Sequence, residues 1–403
     1  MRKALMLIFS MALLLVVATA MTACGNNDAG TTPADTAVVE TPPPADTDTA
    51  DNDAADVPAD DDVNDEVAAA DIHIALVAHS PDSILDDGSF NEGAWQGITR
   101  FLNRHGLDLD THRSFFIPHE ASTEARLDFI SQAIDHGANV LVLPGFHFEE
   151  SLYIAQDMFP EVNFILLDAS PRNAGVARVQ PNVAAIHYAE EEAGFLAGYA
   201  AVMEGHRELG FMGGIAVPAV VRFGHGFIQG AEFAATALGL ESGEVEINYL
   251  YLGGFAPSPD HVVTASGWFA GGTEVIFAAA GGAAGSVMTG AEASGGLVIG
   301  VDVDQSGDSD TVITSAMKAL DVSVDDMLTD IMNGQFRGGI EHMFNAAING
   351  VSLPMDTSRF QNFTQAQYDA IFAQLASGAI NVNSSLTMSD IIENIELVTV
   401  NEM

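Results

Sequence analysis

Lysine is nearly missing from this chain of 403 residues: only Lys3 and Lys318 occur. Cations of any kind are scarce, with 13 Lys+Arg against 56 Asp+Glu and a formal net charge of -43. A chain that acidic is repelled by a polyphosphate backbone, which excludes nucleic acid as a partner. The lone cysteine, Cys24, excludes a disulfide framework and a multi-cysteine zinc site. None of the 12 histidines stands at His-Glu-x-x-His or another dense ligand spacing, so no metal is expected. Walker A, Gly-x-Gly-x-x-Gly and Gly-x-Ser-x-Gly patterns are all missing, and no cofactor is expected. Missing motifs do not by themselves exclude an enzyme, because catalytic triads are spatial. What the chain does have is 48% hydrophobic residues, enough for a core, and a length that favours two domains.

The N-terminus reads as an address. Arg2 and Lys3 precede an uncharged apolar run from Ala4 to Ala20, as in a signal peptide spanning residues 1–23. Met21-Thr22-Ala23-Cys24-Gly25 resembles a bacterial lipobox, with Met21 where leucine is usual, and marks Cys24 for lipidation. The body is thereby expected on the extracytoplasmic side of the cell membrane, held by lipid. No second apolar run approaches the roughly 20 residues that span a bilayer. From Cys24 to residue 70 the chain is rich in Asp, Ala, Thr and Pro and has no Lys or Arg. It reads as a disordered stalk, because it cannot bury enough apolar surface to offset its ordering entropy. As a calcium site it lacks the Asp-x-Asp-x-Asp-Gly spacing of an EF-hand loop.

From Ile72 onward, short and nearly continuous apolar runs recur: Ile72–Ala78, Val140–Pro144, Phe164–Asp168, Leu209–Gly213, Val275–Ala280 and Leu297–Val301. Such runs fit parallel strands buried on both faces. Helix-like stretches alternate with them, including Gly93–Arg104, Ala125–His136, Glu190–Met203, Phe227–Leu238 and Val324–Asn333. The rhythm predicts an α/β fold with right-handed crossovers. About four strand units fit on each side of a hinge-like segment, Val179-Gln180-Pro181-Asn182. Two lobes follow: 71–182 with about 305–333, and 183–304 with about 334–403.

Ligands of open parallel sheets bind beyond the carboxyl ends of strands. Those positions hold His79-Ser80, Asp86, Asp87, Asn91, Gly145–Phe148 and Asp168 in the first half, and Gly213, Gly281 and Asp302 in the second. Carboxylates accept hydrogen bonds and aromatic rings stack, so the set suits a neutral solute with hydroxyls, N–H donors and a flat ring.

Asp86-Asp87-Gly88-Ser89-Phe90-Asn91-Glu92-Gly93-Ala94-Trp95-Gln96-Gly97 resembles a signature of the basic membrane protein (BMP) family. These are substrate-binding lipoproteins of ABC transporters, similar to purine nucleoside receptors. Further matches are Val142–Phe148, Pro181-Asn182-Val183, Glu190–Gly198, Phe211–Gly214, Arg222-Phe223, Ala279–Gly282, Ile299–Gln305 and Thr314–Lys318, over roughly residues 71–380. Gly88 stands where the family often has Lys or Arg. Gly281-Gly282-Ala283-Ala284 stands where it has Gly-Gly-Thr-Gly, with a threonine hydroxyl lost. The resemblance implies a type I periplasmic-binding-protein fold, two Rossmann-like parallel-sheet lobes closing on a purine nucleoside, and an ABC importer permease as partner. A monomer is expected.

Within that frame Asp86, Asp87 and Asn91 face the base, or else cap the helix that follows. Trp95 stacks on the base or else packs in the core, Phe223 forms the opposing stacking wall, Phe255 is a weaker candidate for it, and Phe90 is assigned to the core. Asp168 and Asp302 accept ribose hydroxyls or else backbone amides, Gly281 permits close approach, and Lys318 pairs with Asp302 or touches the ligand. His147 and His225 fall near the cleft. Three other readings stay open: a receptor for a sugar or other small polar solute, a sensor module, and an extracellular nucleoside hydrolase. The last would need an Asp-x-Asp-x-x-x-Asp-Asp cluster near the first strand, which is not present in that form.

Overall fold

A computed structural model describes residues 71–403. The expected signal peptide, Cys24 and the stalk lie outside the described residues. Strands β1 (Ile74–Val77), β2 (Arg113–Phe116), β3 (Val140–Pro144) and β4 (Asn163–Leu167) come first. A small hairpin, β5 (Arg172–Asn173) and β6 (Val176–Ala177), and then β7 (Val183–Tyr188) follow. Next are β8 (Glu208–Gly213), β9 (Val245–Tyr251), β10 (Val275–Ala279), β11 (Leu297–Asp302) and β12 (Val312–Lys318). The chain ends with β13 (Ile340–Phe344), β14 (Val351–Ser352) and β15 (Val398–Glu402).

Two sheets result. The first has the order β13-β7-β4-β3-β1-β2 and is parallel throughout. The second has the order β14-β12-β11-β10-β8-β9-β15 and is parallel except for β14. The central strands β1, β3 and β10 are buried along their whole length, as their unbroken apolar sequences require. Helices between the strands cover both faces, so each sheet is the middle layer of its own lobe.

The chain passes between the lobes three times, and not where the sequence pointed. The first passage is at Ala189, after β7, because β7 pairs with β4 in the first sheet. Pro181-Asn182 therefore leads into a buried strand and is not the hinge. The second passage is at Ala319, so residues 305–318 belong to the second lobe with β12. The third is at Asn345, because β13 returns to the first sheet. The first lobe is thus completed by residues 320–344 and not by 305–333. Backbone bonds tie the passages together: Ala189 N–H donates to Phe344 O at 3.0 Å, and Ala319 N–H donates to Gly350 O at 2.9 Å.

Two helices pack unusually closely beside these passages. A Cβ added to Gly194 would lie 2.1 Å from Phe223 O, and one added to Gly226 would lie 2.0 Å from Glu191 O. Only glycine allows helices Glu190–Glu204 and Pro218–Leu238 to touch backbone to backbone there. That contact sets the depth at which Glu190 and Phe223 enter the space between the lobes.

Candidate functional site

The carboxyl ends of both sheets face a shared cavity of about 470 Å³. That falls within the roughly 300–1,000 Å³ usual for small-molecule sites. Asp86, Asp87, Asn91, Asp168, Phe223, Gly281, Asp302 and Lys318 all line it. Trp95 does not. Its ring packs on Phe115 at 6.2 Å, under the Arg113 guanidinium at 4.4 Å. The reason is helical rise: four residues beyond Asn91 is about 6 Å further from the strand ends. Phe90, expected in the core, lines the cavity in its place.

At the floor lies a buried charge cluster. Lys318 ends β12, and its Nζ is 2.6 Å from Asp168 Oδ2, 3.4 Å from Asp302 Oδ1 and 3.6 Å from Glu190 Oε1. Burial alone would lower its pKa, but the three carboxylates hold it above the ordinary lysine value. The Phe90 and Phe223 rings lie 4.8 and 5.2 Å from the same ammonium. Burial pushes Asp168 up to about 7, with Glu190 and Asp302 adding to the rise and Lys318 opposing it. Glu190 is also raised by burial, and Arg222 approaches it at 3.3 Å.

Asp168 and Asp302 both adopt left-handed backbone, with φ of 59° and 67°. Each side chain turns sharply off its strand end, at a conformational cost of about 1–3 kcal/mol. Asp302 Oδ2 accepts the Ser89 hydroxyl at 2.7 Å, a bond from one lobe to the other. Asp168 Oδ1 is buried without a hydrogen-bond partner among the described residues. Two residues on, Ser170 joins His187 at 2.9 Å and also donates to Glu341, fastening the Asp168 loop to β7 and β13.

Asp87 and Asn91 divide between their two expected roles. Asp87 accepts N–H bonds from Ser89, Asn91 and Glu92 at 2.9–3.2 Å, so it caps the helix Phe90–His105. Burial, outweighing those bonds, lifts it to about 6. Asn91 spends its amide hydrogens on Ile84 O and Asp87 Oδ2, which leaves Oδ1 without a partner among the described residues. Asp86 is exposed and makes no hydrogen bond there. In the second lobe Phe255 lies 3.5 Å from where a Cβ on Gly281 would sit, and it lines the cavity. His147 lines the cavity too, whereas His225 is turned away and bonds Ser385 O at 2.7 Å.

Sequence reasoning missed Glu190, and it placed His79 after the first strand without giving it a role. Glu190 had the same signal as Asp168, a carboxylate at a strand end, but β7 had not been read as a strand.

Two parallel-sheet lobes, three passages and a cavity at the strand ends define the two-lobed fold of the type I periplasmic-binding class. Solved structures agree on the fold. A solute-binding protein of an ABC transporter system from Aeropyrum pernix K1 superposes with a TM-score of 0.61 at 24% identity, covering 80% of this chain and 84% of that one. Another from Conexibacter woesei DSM 14684 gives 0.61 at 23%, covering 78% and 99%. The chain belongs to the family of PnrA-like ABC transporter substrate-binding proteins, which matches residues 74–385. Among similar proteins is the "ABC transporter nucleoside-binding protein BmpA" of Lactococcus lactis subsp. cremoris, 27% identical over 68% of this chain and 79% of that protein. Basic membrane protein A1 of Borrelia garinii subsp. bavariensis is 28% identical over 64% and 73%. The family is one of solute binders, not enzymes.

Proposed function

We propose that this protein captures a purine nucleoside between its lobes and delivers it to an ABC importer permease. The observation that carries the reading is the pairing at the cavity floor: two phenyl rings, Phe90 and Phe223, beside two carboxylates, Asp168 and Asp302, that share one lysine. The rings suit a flat base. The carboxylates suit hydroxyl donors, and Asp168 Oδ1 is an acceptor waiting for one. Closure by hinge motion would strengthen both sets of contacts by excluding water. Lipid on Cys24 would hold a monomeric receptor at the outer face of the membrane.

Calorimetric titration with inosine, guanosine, adenosine and ribose tests the ligand. Binding of a nucleoside but not of ribose is expected; tight sugar binding with no nucleoside heat would sink the reading. Cys24→Ser should abolish metabolic labelling of the protein with palmitate in cells. A variant that is still labelled, or a wild type that is not, would remove the lipid on Cys24 from the account.

A further inference from the structure

Two histidines on the first lobe's wall of the cavity are unused by the chemistry above. His79 follows β1, and His147 sits in the turn after β3, its neighbour in the sheet. Their rings stack with centroids 4.3 Å apart and 8° between planes, and Phe146 lies 3.9 Å from His147. Both line the cavity. Burial is the main reason both rings stay neutral, with the nearby Arg126 adding to it. His79 is pushed down to about 4 and His147 to about 3. Arg126 is held in place by donating Nε–H to His79 O at 2.8 Å.

A neutral imidazole carries one N–H, and its neighbours decide where. Ser83 Oγ accepts the Ser80 N–H at 3.3 Å and lies 3.2 Å from the Ser80 hydroxyl and 3.3 Å from His79 Nδ1. Two relays satisfy all three contacts: Ser80 to Ser83 to His79, or His79 to Ser83 to Ser80. The first puts a hydrogen bond onto Nδ1, leaves the ring proton on Nε2, and is the one assigned here. That Nε2 has no partner among the described residues.

Apart from the ring N–H of His147, donors are scarce here. Asp86, Asp168 and Asp302 only accept when ionised, Asn91 has spent its amide hydrogens, and Lys318 is surrounded by carboxylates. We infer that His79, braced by its stack on His147, is the donor that reads a carbonyl on the base, so the cleft prefers 6-oxopurine nucleosides over 6-aminopurine ones. This rests on the nucleoside reading proposed above. An amino group at the same place would present N–H to N–H and leave a buried donor unpaired.

The test is calorimetric titration of the full chain with inosine and with adenosine, in wild type, His79→Phe and His79→Gln. Wild type should prefer inosine by at least tenfold. His79→Phe keeps a ring on His147 and should lose tenfold for inosine, while adenosine stays within threefold. His79→Gln keeps a donor and should retain most of the preference. Adenosine binding by the Phe variant also reports that it folds. Equal losses for both ligands, or an unchanged preference in His79→Phe, overturn the assignment. So does a wild type that binds adenosine as tightly as inosine. A wild type that binds neither nucleoside overturns the nucleoside reading and takes this assignment with it.

Discussion

Lys318 is the residue on which most of the cavity floor depends. It is buried against Asp168, Asp302 and Glu190, and Arg222 reaches only Glu190 among the described residues, so removing Lys318 leaves several buried carboxylates without their shared cation. Lys318→Met should therefore cost about 3–5 kcal/mol in urea unfolding, the usual penalty for breaking a buried ion pair from one side. The two aromatic assignments separate just as cleanly. Phe90→Ala should weaken nucleoside binding at least tenfold, on the order of 1.4 kcal/mol. Trp95→Ala should leave affinity within threefold and lower stability by about 1–2 kcal/mol, because its ring serves Phe115 and Arg113. Titration adds a third contrast. His79 has a folded pKa below its ordinary value, so the unfolded chain takes its proton first, and stability is lost as pH falls. Relative to His79→Phe, wild type should lose up to about 3 kcal/mol between pH 6.5 and 4, read by unfolding at a series of pH values. Asp87 and Asp168 are raised and act in the opposite sense, with stability falling as pH climbs from 3.8 towards 6 or 7. Comparison with the variant cancels their contribution.

At the scale of elements, the helix pair Glu190–Glu204 and Pro218–Leu238 matters most. It carries Glu190 and Phe223, and its closeness depends on glycine. Gly194→Ala should cost at least about 2 kcal/mol, since the new methyl meets a backbone carbonyl that cannot step aside. Gly267, inside the helix Pro259–Ala270, faces open space. Gly267→Ala should instead stabilise by up to about 1 kcal/mol, and thermal unfolding of the two variants compares them directly. Elements also explain what could be read in advance. Fully apolar strands such as β3 and β10 were plain in the sequence because burial on both faces leaves no polar interruption. β13, with Glu341 and His342 in Ile340–Phe344, lies at a sheet edge and carries no such signature. β7 was apolar enough, but Pro181 beside it looked like a hinge. Because β7 and β13 both pair into the first sheet, the lobe boundaries fall at Ala189 and Asn345.

The whole molecule is shaped by its charge. From residue 72 onward it carries 42 acidic and 11 basic residues, a net of -31, so acidity belongs to the folded body as well as to the N-terminal segment. Self-repulsion of that size opposes the compact state and is screened by salt. The melting temperature should rise by several degrees between about 10 mM and 500 mM salt, and a flat profile would show that the charges are already neutralised locally. The same field disfavours anionic solutes such as nucleotides. Lobe closure belongs to this scale too: small-angle scattering should show a smaller radius of gyration when nucleoside is added.

Composition and local pattern were enough to determine the α/β class, the two-lobe plan and most of the cavity residues. Each of those depends on short-range rules: apolar runs make buried strands, and strand ends make sites. They did not determine which of two neighbouring rings lines the cavity, where the chain changes lobes, or that Lys318 is shared by three carboxylates. Asp168 and Lys318 are 150 residues apart. His79 and His147 are held together only because β1 and β3 are neighbours in the sheet. Such meetings are set by sheet order and by the direction each side chain takes at the end of its element. Lysine's scarcity marked Lys318 as worth attention, but the partners that explain it came only from the packed lobes.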